Sequence, residues 1–248
     1  MKRRLPIKAI VIISVIFLAL FFTLAFTIRR LKNLDYFTIK DIFSNADNLS
    51  NLSYLKGKNI FDLDSKKESK YISEIYPDYR NVRIIRVLPN RLYIDFVKRS
   101  PLAYVKLYRF FLVDSDLVLF NPPQTSSFED LPVILGLETK IFGPSPGTRY
   151  NIKELLFSLS VIKEFKKNKV LKDYKIKRIS VANLRNASFF IALPGTPDLE
   201  LKMDEGNIIT RINILAGLFS QMKNDLHNIK YIDLRFKEPV IKFNEDKS

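Results

Sequence analysis

The sequence lacks cysteine altogether, has no tryptophan and contains a single histidine, His227. Without cysteine there is no disulfide framework, no thiol nucleophile and no zinc or iron–sulfur centre with thiolate ligands. One histidine does not suffice for a histidine-rich metal site or for a relay of imidazole groups. An enzyme of this composition would therefore have to work through carboxylates, serine, lysine or tyrosine.

Charge is absent from 20 consecutive positions near the N-terminus, Ala9–Ile28. A helix of about 20 residues is about 30 Å long, which matches the hydrocarbon core of a bilayer. We therefore expect a transmembrane anchor over residues 9–28, after a cytoplasmic tail at 1–8. The alternative is a cleaved signal peptide with Thr23-Leu24-Ala25 at its cleavage site, but the apolar run exceeds the roughly 7–15 residues usual in such peptides.

Lysine and arginine flank this run on both sides, with four before it and three after it. The small excess on the N-terminal side, the short tail and the large C-terminal part predict a cytoplasmic N-terminus and C-terminal domains outside the cytoplasm. Residues 1–32 carry +7 of the formal net charge of +15. We attribute this share to contact with anionic lipid and the rest to a basic surface near lipid or wall polymer, and we expect no nucleic-acid partner.

Residues 36–105 have the periodicity of a small α+β unit. Strands are predicted at Phe37–Ile42 and Val82–Val87, and a helix is predicted from the capping residue Asp64 to Ile75. A proline-asparagine turn joins the second strand to an alternating segment at 92–97, which predicts a hairpin. The expected order is strand, helical stretch, helix, strand, strand.

Residues 106–243 are richer in strands and contain two amphipathic helices. The helices are predicted at Asn151–Asn168 and Asn207–Asn224, where apolar residues recur at helical spacing. Leu131–Gly136 is predicted as a short segment at a sheet edge. The remaining predicted strands are Phe110–Val113, Leu117–Phe120, Ile176–Val181, Ser188–Leu193, Leu199–Met203, Tyr231–Phe236 and Val240–Phe243.

Motifs along nearly the whole chain resemble those of the bacterial cell-division protein family FtsQ, called DivIB in Gram-positive bacteria. They are FTIKDIFSNA from Phe37, GKNIFDLD at Gly57–Asp64, RNVRIIRVLPNRLYIDFVKRSPLAYV at Arg80–Val105, FFLVDSDLVL from Phe110, LPVILG from Leu131 and YIDLRF at Tyr231–Phe236. The third has the form of the end of a POTRA domain, with Lys98 where the family usually has glutamate. Ser115 likewise stands where glycine is common.

The resemblance implies a fold and a domain order. The expected protein is α+β, with a single N-terminal transmembrane helix, a small POTRA domain (β-α-α-β-β) at 36–105, a mixed β-sheet domain with two amphipathic helices at 106–243, and a short tail at 244–248. It is expected in the inner (cytoplasmic) membrane, as a single-pass protein enriched at the division septum.

The resemblance also implies a scaffold and not an enzyme, with no cofactor, no metal and no small-molecule substrate. The implied partners are FtsB-like (DivIC-like) and FtsL-like single-pass proteins, with other division proteins binding the POTRA domain. The terminal β-strand edge is the implied binding site for the FtsB-like partner.

Physical reasoning points to the same edge. A chain that ends in a strand often leaves that strand at the side of a sheet, where unpaired N–H and C=O groups can pair with an added strand. The predicted site residues are Arg235, Phe236, Val240, Ile241, Lys242 and Phe243. Arginine and aromatic residues are common interface anchors. Arg235 could instead be a solvated charge beside Ile232 and Leu234, which we expect in the core.

Two other interpretations remain open. A different POTRA-type module, which handles exported polypeptides at the membrane, would use the sheet edge around Val82–Val87. A wall hydrolase would use Asp114 and Asp116 as a carboxylate pair. Between two apolar strands, however, such a pair is more often a turn in which aspartate caps its own backbone. Asp64 is similarly interpreted as an N-cap, and His227 as a residue near a helix C-terminus.

Overall fold

The computed structural model describes residues 7–32, 34–46, 50–123, 130–195, 197–222 and 225–244. This part of the chain contains four α-helices and twelve β-strands. The predicted α+β class is therefore confirmed. Residues 1–6 of the predicted cytoplasmic tail and residues 245–248 of the predicted C-terminal tail lie outside the described residues.

The first element is the helix α1 (Ile7–Lys32). Its segment Val11–Leu31 is long and apolar enough to cross a membrane, and its side chains are exposed. Thr23 donates its hydroxyl to the Ala19 carbonyl at 3.0 Å, and Thr27 donates to Thr23 at 2.8 Å. Because these hydroxyls bond to the preceding turn, they remain satisfied in an apolar environment.

The chain divides into two compact units. The smaller comprises residues 1–75 and 79–97, and the larger comprises 76–78 and 98–248. The domain boundary expected at residue 105 stays a prediction. Strand β4 (Pro101–Lys106), which has five of its six residues before that point, is hydrogen-bonded within the sheet of the larger unit.

The smaller unit has a three-stranded sheet formed by β1 (Asp41–Ser44), β2 (Tyr79–Val87) and β3 (Arg91–Lys98), in the order β1-β3-β2. Helix α2 (Ser65–Ile75) contacts β2. It begins where predicted, because Asp64 Oδ1 accepts the N–H groups of Lys66 and Lys67 at 3.0 and 3.1 Å.

The predicted strand at 37–42 is shifted in the structure. Residues Asp35–Phe37 form a 3-10 turn, and the Ile39 N–H donates to the Lys58 carbonyl outside any sheet. The predicted helical stretch between the first strand and α2 is a 3-10 helix at Ser50–Leu55.

The larger unit has a nine-stranded sheet in the order β12-β11-β10-β9-β8-β7-β4-β5-β6. Its other strands are β5 (Phe110–Asp114), β6 (Leu119–Phe120), β7 (Val133–Leu135), β8 (Lys175–Ser180), β9 (Ala187–Ala192), β10 (Leu199–Met203), β11 (Ile229–Asp233) and β12 (Val240–Phe243). Its helices are α3 (Lys153–Lys167) and α4 (Ile208–Gln221). Asn207 caps α4 by accepting the Thr210 N–H at 3.1 Å.

The prediction that residues 131–136 lie at a sheet edge is wrong. Strand β7 lies inside the sheet, parallel to both β4 and β8. Its central residue, Ile134, is fully buried. Three residues are too few to show the continuous apolar pattern that marks an interior parallel strand.

One residue from each of seven neighbouring strands falls in a line across the sheet. These residues, which we call the inner row, are Val105, Ile134, Ile179, Phe189, Leu201, Ile232 and Ile241. All are buried except the half-buried Ile241, and they share one core with the apolar faces of α3 and α4. Each buried side chain of this size contributes about 1.5–3 kcal/mol, so a slip of one residue in any strand would be costly.

Candidate functional site

Strand β12 forms one edge of the nine-stranded sheet. It pairs antiparallel with β11, and no other described strand pairs with it. The side chains of Val240, Lys242 and Phe243 are exposed, whereas Ile241 packs against the core. The structure therefore places the predicted terminal residues on an open sheet edge.

One hydrogen bond defines the direction of the backbone groups on β11. The Leu234 N–H donates to the Lys202 carbonyl of β10 at 2.8 Å. Along a strand, the N–H and C=O groups of successive residues point alternately to the two neighbouring strands. Because the N–H of Leu234 points to β10, the backbone groups of every second residue counted from Leu234 point to β10, and those of the residues between them point to the other side. Tyr231 and Asp233 therefore turn their N–H and C=O groups towards β12.

The backbone direction on β12 follows from this register. Val240 and Lys242 lie opposite the two residues of β11 that face β12, so they exchange hydrogen bonds with β11. Ile241 and Phe243 alternate with them and turn their N–H and C=O groups outward. The edge therefore presents donors and acceptors in the spacing that an added strand requires.

The opposite edge of the same sheet is covered. The Leu119 N–H of β6 donates to the Thr148 carbonyl at 3.1 Å, and the Gly147 N–H donates back to the Leu119 carbonyl at 2.7 Å. Val118 forms a further antiparallel bridge with Arg149. The loop that contains these residues thus occupies the outer side of β6.

Arg235 lies after β11, in the connection to β12, and not on a strand as predicted. Its Nη2 and Nε contact the two carboxylate oxygens of Asp233 at 2.5 and 2.9 Å, and its Nη1 donates to Asn186 Oδ1 at 2.8 Å. Asp233 is buried, and the bond from Arg235 holds the pKa of this carboxyl below its ordinary value. The guanidinium is therefore engaged within the protein and shapes the connection.

Phe236 projects from this connection with 59% of its surface exposed. Its ring lies 5.8 Å from the Arg235 guanidinium carbon, so one face is close to a cation. An aromatic side chain held by its neighbour and open to solvent is suited to contact a partner. Its role in binding stays a prediction.

Arg211 of α4 is a further site residue that sequence reasoning missed. Its guanidinium donates to the carbonyls of Leu234 and Arg235 and pairs with Asp204 at 2.8 Å. It fixes the start of the connection between β11 and β12. The sequence feature that could have indicated this role is the position of Arg211 three residues after Ile208, beside the apolar face of the helix.

Both carboxylate oxygens of Asp114 are bonded within the fold, at the turn between β5 and β6. Its Oδ1 accepts the N–H groups of Asp116 and Val118 at 2.9 and 3.0 Å, and its Oδ2 accepts a bond from Arg99 Nη1 at 2.5 Å. The predicted hairpin turn is confirmed by the pairing of β5 with β6. Across the described ranges, no group of three or more histidine or acidic side chains is placed to hold a metal ion.

Comparison with known proteins adds the family. A family model described as "Cell division protein FtsQ/DivIB, C-terminal" matches residues 103–235, which run from β4 to the connection after β11. The chain belongs to the FtsQ/DivIB family. The family match covers most of the nine-stranded sheet and stops before β12.

Three relatives, all named cell division protein FtsQ, share this assignment. The protein of Geotalea daltonii is 25% identical over an alignment of 208 positions, and the match covers 78% of this chain and 72% of the relative. That of Syntrophotalea carbinolica is 24% identical over 185 residues, covering 75% and 64%. That of Geobacter sp. strain M21 is 22% identical over 216 residues, covering 87% and 76%. The family match and these relatives together identify the chain as a cell-division protein.

Proposed function

We propose that this FtsQ-family chain is a non-enzymatic, bitopic scaffold of the bacterial division machinery. Helix α1 would span the cytoplasmic membrane with the N-terminus in the cytoplasm, and the parts of both compact units that follow α1 would lie outside, at the septum. The scaffold would link early and late division proteins and so support septum formation. The apolar, exposed helix and the family membership support this proposal.

The partner-binding step is strand addition to β12. An extended segment of an FtsB-like (DivIC-like) protein would pair with the outward N–H and C=O groups of Ile241 and Phe243. The observation that carries this proposal is the open edge at β12 in a sheet whose other edge is covered by its own loop. Backbone pairing would supply affinity, and pockets beside the alternating side chains would supply selectivity.

Side chains around the edge would contribute unequally. Phe236, Val240 and Phe243 are exposed by 59%, 48% and 50%, so a partner can bury them. Arg235 would act through the shape of the connection, because its guanidinium already binds Asp233. An FtsL-like protein would join through the same complex, and the POTRA unit proposed at 36–105 would bind other division proteins.

The test separates the outward N–H donor from its side chain. Full-length protein in lipid nanodiscs is titrated with the purified extracytoplasmic segments of the host's FtsB-like and FtsL-like proteins. Phe243→Pro removes the outward donor as well as the ring, whereas Phe243→Ala removes only the ring. We expect the proline variant to bind the FtsB-like segment about tenfold more weakly than the alanine variant, since one backbone bond contributes roughly 1 kcal/mol or more.

Equal binding by the two Phe243 variants would contradict strand addition at this edge. Unchanged thermal unfolding of both variants would show that the sheet itself is intact. If the wild-type protein captures neither segment, the scaffold assignment fails in this form.

A second candidate function has one observation in its favour. Strand β2 lies at an edge of the three-stranded sheet and has nine residues, with Ile85 and Val87 exposed. A POTRA-type module that handles exported polypeptides would add their strands there. Deletion of residues 106–248 would leave that activity intact and would abolish binding at β12.

A further inference from the structure

A cavity with a volume of about 270 Å³ lies between the end of α3 and the first turns of α4. Two isoleucines, two asparagines, two lysines and one glutamate line it. None of them belongs to β11, β12 or the connection between these strands, so the cavity shares no residue with the open edge. Its volume is below the roughly 300–1,000 Å³ of most small-molecule sites, which favours an occupant of the size of a few side chains.

Two isoleucines of α4 form the apolar part of the cavity. Ile212 is 2% exposed and belongs to the core, whereas Ile209, three residues earlier, is 57% exposed. Residues three apart lie on the same side of a helix, so the two side chains adjoin. Because Ile209 lines a cavity and is still exposed, an apolar side chain that enters would remove further apolar surface from water.

Two asparagine amides connect the helices at this cavity. Asn168 Oδ1 accepts the N–H groups of Val170 and Leu171 at 2.9 and 3.3 Å, which leaves its Nδ2 to face α4. This Nδ2 donates to Asn213 Oδ1 at 3.4 Å, longer than the roughly 2.9–3.0 Å that is usual. An amide pair joined by so long a bond has donors and acceptors to offer to a peptide backbone.

Positive charge surrounds the cavity. Residues 163–172 contain five lysines and one glutamate, a formal net charge of +4, and all five lysines are exposed. The glutamate, Glu164, lies 3.8 Å from Lys167 in an exposed pair, and such pairs contribute little to stability. Among the described residues, no carboxylate lies within salt-bridge distance of Lys169. The cavity therefore complements an occupant that carries carboxylates next to an apolar group.

We propose that this cavity binds a short acidic segment of a partner protein. One apolar side chain of the segment packs on Ile209 and Ile212, and neighbouring carboxylates bind Lys167 and Lys169. The asparagine amides hydrogen-bond to the backbone of the segment. A peptide supplies all three kinds of group, whereas a phosphate or a sugar would leave the isoleucines uncovered. The inference goes beyond the strand addition proposed at β12 and does not depend on it.

Fluorescence anisotropy with labelled synthetic peptides tests the inference on the full chain in phosphatidylcholine nanodiscs. The first peptide has a central leucine flanked by glutamates. A second has serine in place of the leucine, and a third has lysines in place of the glutamates. We expect the wild-type protein to bind the first peptide at least tenfold more tightly than either of the others. No binding of the first peptide, or equal binding of the second, would overturn the inference.

A pair of charge variants locates the site. Lys167→Glu/Lys169→Glu reverses two cations of the cavity. Lys106→Glu/Lys153→Glu makes the same change in net charge at exposed positions outside it. We expect at least tenfold weaker binding of the acidic leucine peptide and a flatter salt dependence for the first variant, and less than twofold change for the second. The same affinity in both double variants would contradict the proposed site.

A pair of alanine variants tests the apolar contact. Ile209→Ala shortens the exposed isoleucine of the cavity, and Ile214→Ala is the control at an exposed isoleucine of the same helix outside it. Alanine favours a helix, so both variants should retain α4, which thermal unfolding checks. We expect about fivefold weaker peptide binding for Ile209→Ala and no change for Ile214→Ala. Equal affinities would show that no side chain packs on Ile209.

The variant Phe243→Pro separates this site from the open edge. It should bind the acidic leucine peptide as the wild type does, because β12 does not line the cavity. Loss of peptide binding in this variant, with normal binding in Lys167→Glu/Lys169→Glu, would place the peptide on the edge and overturn the inference. Normal peptide binding by a wild-type protein that captures no FtsB-like segment would support the inference while the edge proposal fails.

A soluble anionic lipid, dihexanoyl-phosphatidylglycerol, tests a different occupant. If the lipid displaces the peptide below its micelle-forming concentration, and Lys167→Glu/Lys169→Glu prevents its binding, the cavity serves a lipid and the inference is wrong. Failure of the lipid to displace the peptide would support a protein segment as the occupant.

Discussion

The two edges of the nine-stranded sheet are finished in different ways. At β6, the backbone groups of Leu119 are bonded to Thr148 and Gly147 of a covering loop. At β12, the backbone groups of Ile241 and Phe243 face outward. Exposed edges attract unwanted strands, and proteins usually cover, shorten or charge them. Within this sheet, β12 is therefore the edge with backbone groups open to an added strand.

An aspartate–arginine pair lies next to each of the two edges, but the two pairs are buried to different degrees. Asp114 at the end of β5 and Asp233 at the end of β11 each accept the N–H of the residue two positions later, and each binds an arginine. The Arg99–Asp114 side chains are 11% and 3% exposed, against 28% and 6% for Arg235–Asp233. The deeper pair therefore belongs to the covered edge and the shallower pair to the open one.

The largest expected effect is at the covered edge. Asp114→Ala removes the acceptor of two N–H groups and leaves the Arg99 guanidinium buried without a carboxylate. We expect a loss of about 3–5 kcal/mol in the free energy of unfolding of the larger unit. Urea titration monitored by circular dichroism measures it, with Asp114→Asn as the control that retains Oδ1. A loss below about 1 kcal/mol would contradict the importance of this pair.

At the open edge, Arg235→Glu should lower the free energy of unfolding by less than Asp114→Ala does at the covered edge. It places a second carboxylate beside the buried Asp233 and removes the bond to Asn186, so we expect a loss of about 2–3 kcal/mol. The same titration measures it, with partner binding recorded in parallel. Unchanged stability with lost binding would instead make Arg235 a direct partner contact, as its residue type predicts.

Strain introduced into the loop that covers β6 should lower the free energy of unfolding by a smaller amount. Gly147 has φ of +85°, and an added Cβ would lie 2.9 Å from Pro77 Cβ. Gly147→Ala should therefore lose about 1–3 kcal/mol, measured by thermal unfolding. Gly143→Ala is the matched control, because φ there is +57° and no atom lies within 4 Å of the added group. Equal losses would show that the Pro77 contact does not matter.

Acidic pH should lower the free energy of unfolding, because it protonates Asp233 beside the open edge. Its pKa is lowered in the folded protein by Arg235, so its contribution is complete above the ordinary pKa of about 3.9. That contribution is lost as the pH falls through the lowered folded-state value. Unfolding measured from pH 6 downward should therefore show a steeper loss below about pH 4 in the wild type than in Asp233→Asn. Parallel curves would exclude this linkage.

The smallest effect on stability belongs to Phe236→Ala. Because the ring is 59% exposed, we expect a change within about 0.5 kcal/mol in the free energy of unfolding. Binding of the FtsB-like segment should nevertheless weaken about fivefold or more, as for an aromatic contact of moderate weight. Phe142→Ala, at an 80% exposed ring elsewhere in the larger unit, is the control for non-specific loss. A similar decrease in both variants would contradict a specific role.

The sequence patterns predicted those elements that depend on residues close together in the chain, namely helices, their caps and tight turns. Helix α2 and its Asp64 cap, the Asp114 turn and the amphipathic helices α3 and α4 all lie where alternation or helical spacing placed them. Strand β12 lies at a sheet edge, as predicted for the last strand.

Contacts between distant residues were not predictable in the same way. Strand β7 is central because it pairs with two strands far away in the chain, and three residues carry no sign of this. Strand β11 ends at Asp233, earlier than predicted, because that side chain binds the Arg235 N–H. Arg235 also reaches Asn186, 49 residues away, so its residue type indicated an interface anchor while its partners make it part of the fold.

The position of β12 also has a consequence for the order of assembly. Strand β12 pairs only with β11 among the described strands, and β11 reaches its place beside β10 through the crossover that contains α4. Non-local parallel pairings of this kind form slowly, and Ile241 of β12 packs against the core to which β10 and β11 both contribute. We therefore expect the open edge to reach its final packing only once β11 lies beside β10. Under the proposed function, a partner that adds a strand to β12 would thus select chains in which this sheet is complete.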